Sequence, residues 1–403
     1  MKDAVILTHI SHLYLHSRDA MPALRGKQMC EIPVLKDAWV WIENDRFKDY
    51  GSMDDLPLSD VQQLDVKGSF MIPAFIDAHT HLVFAEFREK EFVDRIRGLT
   101  YQEISARGGG ILNSASKLEA LDEEELFQRS LARLNKAIST KTSAIEIKSG
   151  YGLSTKSELK ILRVIQKLKS HSDIAIKASF LGAHSYPLQY RSNHQDYLDL
   201  IVEEMLPVIQ KESLADYMDV FCEKGFFSLE ETDLLLTEAT KFGLVPRIHT
   251  NQFTMSGGIE LAIRHGAKSV DHLEVISDEE IQLLANSNTY PILLPYSAFF
   301  MNNHYPPARK MLEAGLPLVI ASDFNPGTAP CSDMNMVFGL SCLKMRLLPE
   351  EVLASMCINA AHSLDLEDEL GSITPGKKAK YILGKPGTTL ETIAYSMSSE
   401  WIL

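Results

Sequence analysis

Eight short β-rich runs alternate with longer amphipathic stretches from about residue 70 onward. The runs are 70–79, 143–149, 174–184, 217–223, 245–251, 268–274, 290–295 and 317–324. Between them lie helical candidates such as 122–139, in which leucine and isoleucine recur mostly at helical spacing. This alternation is typical of βα units and a parallel sheet, and eight units over roughly 250 residues predict a (β/α)₈ barrel.

Polar residues stand where most of these runs end, namely at His79, His81, Lys148, His184, Glu223, His249, His272 and Asp323. The carboxyl ends of barrel strands meet at one rim, which is where barrel enzymes place their chemistry. His79 and His81 are two residues apart and therefore face the same side of a strand. Imidazole and carboxylate groups suit zinc or iron, so His249 and Asp323 are predicted to complete one metal shell with this pair. Asp323 is also placed to take a proton from water that the cation acidifies.

Two further histidines, His184 and His272, fall at the ends of the third and sixth runs. Either can polarise a substrate carbonyl or stabilise the charge that develops on its oxygen, and either can equally orient a metal ligand. The run Gly108–Gly110 lacks the GK[ST] of a phosphate loop, so nucleotide binding is not supported. A mobile flap over the pocket and a simple flexible loop explain this run equally well.

Both ends of the chain differ from the barrel pattern. The first segment has short β-like runs, AVILTHI, AWVWIE and VQQLDVKG, and the last contains the similar SITPGKKAKYILGK. We therefore predict a small β-sandwich subdomain formed by residues 1–70 and 366–403, flanking a barrel of residues 71–365.

The net charge and the cysteines indicate which kind of binding partner and which cellular compartment to expect. The net charge of -14, from 54 acidic and 40 basic side chains, argues against a nucleic-acid or anionic-membrane surface and favours a small-molecule substrate. Five widely spaced cysteines without a CxxC pair predict buried thiols in a reducing compartment. Because the sequence shows neither a signal peptide nor an apolar stretch of spanning length, we expect a cytoplasmic protein.

Several motifs together resemble one family. They are FIDAHTHLVFAEFREKEF, YQEISARGGGIL, EIKSGYGLSTKSELK, FLGAH, DVFCEKGFFS, HTNQFTMSGG, SVDHLE and ASDFNPGT. They cover nearly the whole barrel and resemble the imidazolonepropionases of the amidohydrolase superfamily. EIKSGYG and DFNPG are specific to that family rather than general to the superfamily.

The resemblance implies a set of site residues and a cofactor. The implied metal ligands are the four already predicted, His79, His81, His249 and Asp323. The implied ion is a single Zn²⁺ or iron ion per subunit, because the fourth run ends in Phe221-Cys222-Glu223 without the bridging lysine of binuclear relatives. The implied substrate residues are Arg88, Tyr151, His184, Gln252, Asn325, Gly327 and Thr328. The family further suggests a homodimer.

The implied activity is hydrolysis of the cyclic amide C–N bond of imidazolonepropionate to N-formimino-L-glutamate, as in histidine degradation. A hydroxide formed at the metal would attack the ring carbonyl, with Asp323 moving the proton and His272 stabilising the oxyanion. One alternative is another mononuclear amidohydrolase, such as a purine-type deaminase. Another is a catalytically silent paralogue that keeps the barrel and the metal. A cationic clamp at Arg88 and the intact ligand set favour the first reading.

Overall fold

The structure is a computed structural model that describes residues 4–99, 103, 107 and 109–403. Part of the motif YQEISARGGGIL, including Gly108, lies outside the described residues, so the flap at 108–110 stays a prediction. Gly110 has a φ of 75° and directly precedes a helix that begins at Ile111.

A small six-stranded sheet is built from both ends of the chain. Its strands are β1 (Ala4–Tyr14), β2 (Val34–Glu43), β3 (Arg46–Ser52), β4 (Gln62–Asp65), β5 (Met71–Pro73) and β14 (Tyr381–Leu383). The order is β14-β5-β1-β2-β3, and β4 pairs with β1. The predicted β subdomain from both termini is therefore confirmed, while the division at residues 70 and 365 stays a prediction.

The second sheet is a barrel of eight parallel strands. They are β6 (Phe75–Asp77), β7 (Thr142–Lys148), β8 (Ala175–Ala183), β9 (Tyr217–Cys222), β10 (Val245–Thr250), β11 (Ser269–His272), β12 (Tyr290–Leu293) and β13 (Val319–Ile320). Neighbours in the sheet follow chain order from β6 to β13. Each of the eight predicted runs overlaps one barrel strand, which confirms the fold; β7 begins one residue before its run. The first run is divided, because Met71–Pro73 pairs in the small sheet and Pro73 has no N–H with which to continue a ladder.

Helices follow the barrel strands and cover the outside of the sheet. Those in the described part of the chain are α1 (Glu89–Ile96), α2 (Ile111–Ala120), α3 (Glu123–Ser139), α4 (Thr155–Ser170), α5 (His194–Asp199), α6 (Leu206–Glu212), α7 (Leu229–Lys241), α8 (Gly258–Arg264), α9 (Asp278–Ala285), α10 (Pro295–Met301), α11 (Ala308–Glu313), α12 (Met334–Met345), α13 (Pro349–Met356), α14 (Ile358–Ser363) and α15 (Leu390–Ser396). Helix α3 confirms the candidate at 122–139, with the Asp122 side chain accepting the Glu124 N–H at its start. Among these described helices, each is too short or too polar to cross a lipid bilayer.

The five cysteines are all free. The expectation of buried thiols is confirmed for Cys222 and Cys357. It is wrong for Cys30, which is exposed because it ends a short 3₁₀ helix, Gly26–Met29, at the surface.

Candidate active site

The barrel closes through the residues that follow its first and last strands. The Asp323 N–H donates to the His79 carbonyl at 3.1 Å, and the His81 N–H donates to the Phe324 carbonyl at 2.8 Å. Asp77, at the end of β6, accepts the Ser322 N–H at 3.0 Å. The backbone pairing that completes the barrel therefore also places the two histidines beside the aspartate at one rim.

The four predicted ligands converge at this rim. The Nε2 atoms of His79 and His81 lie 3.5 and 3.6 Å from Asp323 Oδ1. Two ligands bound to one zinc ion at about 2.1 Å in a tetrahedral arrangement are themselves about 3.4 Å apart, so this spacing fits an ion better than a hydrogen bond. The His249 ring lies 4.5 Å from the His79 ring, and His272 lies beside both. His79 thus belongs to two ligand triads, one with His81 and Asp323 and one with His249 and His272.

Two buried carboxylates orient the histidine rings. His79 Nδ1 donates to Asp271 Oδ2 at 2.6 Å, and His249 Nδ1 donates to Asp219 at 3.0 Å. A carboxylate only accepts, which fixes the ring protons on Nδ1 and leaves lone pairs on Nε2. Among the described residues, neither Nε2 atom has a hydrogen-bond partner, although both are buried. Buried lone pairs held in this way by carboxylates are the usual arrangement of histidine ligands around a metal.

Lys148 joins the two orienting carboxylates. Its Nζ lies 2.8 Å from Asp219 and from Glu146, and 3.5 Å from Asp271, and all four side chains are fully buried. Burial opposes the charge on Lys148, but the Asp219 and Glu146 carboxylates outweigh it and raise its pKa. Asp219, His249 and Asp271 also have ligand-type atoms close together. The Lys148 ammonium already serves as the cation for that group, so we place no metal there.

The protonation of the histidines suits metal binding. Burial, reinforced by neighbouring positive groups, holds the pKa of His79 and His81 well below the usual value. Both rings are therefore neutral, which is the form that binds a cation. Burial also raises the pKa of Asp323. A bound cation would lower this pKa, because it favours the charged carboxylate.

His272 and Asp323 have unusual backbone conformations. The φ angles are 90° at His272 and 55° at Asp323, in the left-handed region that side chains seldom adopt. The His272 Nδ1 lies 3.3 Å from the Glu274 carboxylate, and its ring borders the pocket. Burial acts to lower the pKa of His272, but the Glu274 carboxylate outweighs it and raises the pKa. Strain of this kind is common at functional positions, where the surroundings fix the direction of a side chain.

His184 is oriented differently. Its Nδ1 lies 3.0 Å from the Gly150 carbonyl, so the ring proton is on Nδ1 and donates to that oxygen. Burial lowers the pKa of His184 to about 3, which keeps the ring neutral. His184 therefore presents an acceptor at Nε2, whereas the Glu274 carboxylate favours a charged, donating His272.

The pocket contains about 510 Å³ of empty space, counting the open solvent at its mouth. The structure brings together there the predicted residues His81, Arg88, Tyr151, His184, His249, Gln252, His272, Asp323, Asn325 and Thr328. Sequence reasoning missed the apolar wall formed by Ile111, Phe221, Phe226, Phe253 and Met301. Glu223, noted only as a strand-end residue, accepts the Phe253 N–H at 2.9 Å and so anchors the loop that contains Gln252.

Arg88 brings a positive charge with unused hydrogen-bond donors to the pocket. Its side chain is 4% exposed, and its Nε is 3.7 Å from Glu91, beyond hydrogen-bond distance. Among the described residues, Nε and Nη1 have no hydrogen-bond partner. A buried guanidinium in this state is suited to a ligand carboxylate, which it can bind with two parallel hydrogen bonds.

Gly327 makes room for that guanidinium. A Cβ atom at this position would lie 1.7 Å from Arg88 Nη2. We therefore expect Gly327→Ala to displace Arg88 and raise the KM for a carboxylate substrate by roughly 10- to 100-fold, the effect of losing a charge-assisted hydrogen bond. Steady-state kinetics measures the KM. Metal analysis serves as the control, because the metal content should not change. A variant with the KM of the unchanged protein would contradict this role for Gly327.

The Asn325 amide has a structural task. Its Nδ2 donates to the Asp323 carbonyl at 2.7 Å and to Thr328 Oγ1 at 2.8 Å, and its Oδ1 accepts the N–H groups of Gly327 and Thr328. These four bonds use the full capacity of an amide. Direct contacts of Asn325, Gly327 and Thr328 with the substrate stay a prediction. The Asn325 hydrogen bonds hold the backbone of Gly327, and so help to place it next to Arg88.

Comparison with known proteins identifies the class. Residues 227–403 match the model of the amidohydrolase family. Guanine deaminase from E. coli superposes with a TM-score of 0.73 at 13% identity, covering 100% of this chain and 96% of the deaminase. The part of the barrel from residue 227 onward matches the amidohydrolase family, and the histidine and aspartate cluster at the rim is suited to a metal ion.

Curated relatives match over nearly the full length. The imidazolonepropionase of Christiangramia forsetii is 45% identical over 398 residues, which is 98% of this chain and 97% of the relative. That of Flavobacterium psychrophilum is 46% identical with the same coverage. The chain belongs to the imidazolonepropionase family.

Proposed function

We propose that the protein hydrolyses the cyclic amide C–N bond of imidazolonepropionate and releases N-formimino-L-glutamate. The observation that supports this most directly is the buried guanidinium of Arg88 beside a histidine and aspartate metal site, in a chain 45% identical to imidazolonepropionases. The substrate combines a cyclic amide with a propionate. The metal site is suited to hydrolysis of the cyclic amide, and Arg88 is suited to binding the propionate.

The proposed cofactor is one Zn²⁺ or iron ion held by His79, His81, His249 and Asp323. When bound, such an ion lowers the pKa of water to about 7 and so supplies a nucleophile at neutral pH. Asp323 accepts the proton of the attacking water on a carboxylate oxygen and returns it to the ring nitrogen as the C–N bond breaks. His272, held by Glu274, donates to the carbonyl oxygen as negative charge develops there.

We assign substrate binding to the remaining pocket residues. Arg88 binds the propionate, and Tyr151 and His184 contact the ring together with Gln252. Gln252 is a neutral amide and cannot act as a base, so proton transfer falls on Asp323 and His272. We do not assign carbonyl polarisation to His184, because its proton is directed at the Gly150 carbonyl. A homodimer in solution is part of the proposal by family resemblance.

A purine-type deaminase is the alternative with the same ligand set. It explains Arg88 poorly, because a neutral base has no carboxylate to bind, and the deaminases that share the fold do so at only 13% identity.

The decisive assay incubates metal-replete protein with imidazolonepropionate and, separately, with guanine and adenosine. Mass spectrometry should detect N-formimino-L-glutamate and no deaminated base. Arg88→Met should raise the KM for imidazolonepropionate while leaving metal content unchanged. Deamination of a base without formation of N-formimino-L-glutamate would overturn the proposal.

A further inference from the structure

A buried glutamate on helix α4 holds the loop that follows strand β7. Glu158 is fully buried, and its Oε2 accepts the Gly150 N–H at 2.9 Å. Its Oε1 accepts the N–H groups of Gly152 at 2.6 Å and Leu153 at 2.9 Å. One carboxylate thus binds three backbone donors of a five-residue loop, Ser149–Leu153.

Two glycines of this loop lie where a side chain does not fit. Gly150 has a φ of 107°, and a Cβ on it would lie 2.8 Å from His184 Nδ1. A Cβ on Gly152 would lie 2.4 Å from the Glu158 backbone nitrogen. The two glycines of EIKSGYG are therefore required for steric reasons, since only a residue without Cβ fits at either position.

Two pocket groups depend on this loop. The Gly150 carbonyl accepts the Nδ1 proton of His184, and the Tyr151 ring lies 5.4 Å from the His184 ring and 5.6 Å from the His81 ring. Glu158 itself is absent from the residues that line the pocket. Its effect on a ligand is exerted through Gly150 and Tyr151.

We propose that Glu158 is a positioning residue: by fixing the Gly150 carbonyl it sets the tautomer of His184, whose Nε2 then accepts a hydrogen bond from a ring N–H of the substrate. This inference rests on the proposed function, because the cyclic amide supplies the N–H. The site then selects a ring with a donor facing His184. A ring that offers an acceptor there meets a lone pair and binds more weakly.

Glu158→Gln tests the proposal because it keeps the size of the side chain but replaces one acceptor oxygen by an NH₂ group. Facing three N–H donors, the amide loses at least one of the hydrogen bonds. We expect KM to rise about tenfold while kcat changes less than KM and metal content stays the same. The matched control is Glu351→Gln. Glu351 is also buried and accepts the Leu348 N–H at 2.6 Å, but neither Leu348 nor its ion-pair partner Arg309 lines the pocket, so only thermal stability should fall.

A second readout does not require turnover. Nitrogen-15 NMR of histidine-labelled protein, with His184 assigned through His184→Gln, should show a neutral ring protonated at Nδ1. Glu158→Gln should shift it toward the other tautomer. Ser149→Ala, which removes a hydroxyl that is hydrogen-bonded to the Glu158 carboxylate, serves as a milder variant if the first does not fold. An unchanged KM and unchanged His184 signal in a folded variant would overturn the inference. A lack of turnover by the unsubstituted protein would instead overturn the proposed function and leave the NMR result to decide on Glu158.

Discussion

Replacing Asp323 by asparagine should lower turnover by roughly 10²- to 10⁴-fold, the usual contribution of a positioned proton-transfer group. Asparagine has nearly the same shape, but its amide can neither accept the proton of the attacking water nor return it to the ring nitrogen. The measurement is kcat per bound metal, with metal determined by elemental analysis. This normalisation separates lost proton transfer from lost metal affinity.

The matched control for this substitution is Asp365→Asn. Asp365 accepts the Tyr217 hydroxyl hydrogen bond at 3.0 Å, at the opposite end of strand β9 from the metal ligands. The control should keep normal turnover and metal content. An Asp323→Asn variant that binds metal and retains full turnover would refute the assigned proton transfer.

Replacing Lys148 by methionine should remove most of the bound metal. The buried carboxylates of Asp219 and Asp271 would lose their shared cation, and they hold the rings of His249 and His79. Removing one partner of a buried ion pair costs about 3–5 kcal/mol. We therefore expect a lower free energy of unfolding together with weaker metal binding, measured by denaturant titration and by metal exchange against a chelator.

Lys160→Met is the control for this effect. Lys160 is also buried, but its Nζ donates to the backbone carbonyls of Leu118 at 2.6 Å and Leu121 at 2.7 Å instead of to carboxylates. This variant should lose stability and keep its metal. If Lys148→Met bound metal as tightly as the unsubstituted protein, the positioning role of Lys148 would be wrong.

The barrel was predictable because the strands are short, mostly apolar runs and most runs end in a polar residue. A parallel strand buried on both faces needs this composition, so the runs could be counted directly. The division of the first run could not be read in the same way. Met71–Pro73 and Phe75–Asp77 are equally apolar, and only their hydrogen-bond partners assign them to different sheets.

The candidate metal ligands were predictable from their position, whereas the groups that support them were not. Asp219 and Asp271 are single carboxylates inside apolar strands, and such residues must find a buried partner. That signal was present in the sequence, but it does not name the partner, which is a lysine on another strand. Glu158 gave no signal, because a glutamate in the first turn of a helix usually faces water.

The location of the bound metal ion tests the proposed ligand set most directly. Crystals of metal-loaded protein, with diffraction data collected at the absorption edges of zinc and iron, should show one anomalous peak. We expect it about 2.0–2.2 Å from the ligand atoms of His79, His81, His249 and Asp323, with Lys148 still paired to Asp219 and Asp271. A peak between Asp219 and Asp271 with Lys148 displaced, or two peaks in one site, would contradict a single metal ion held by these four ligands.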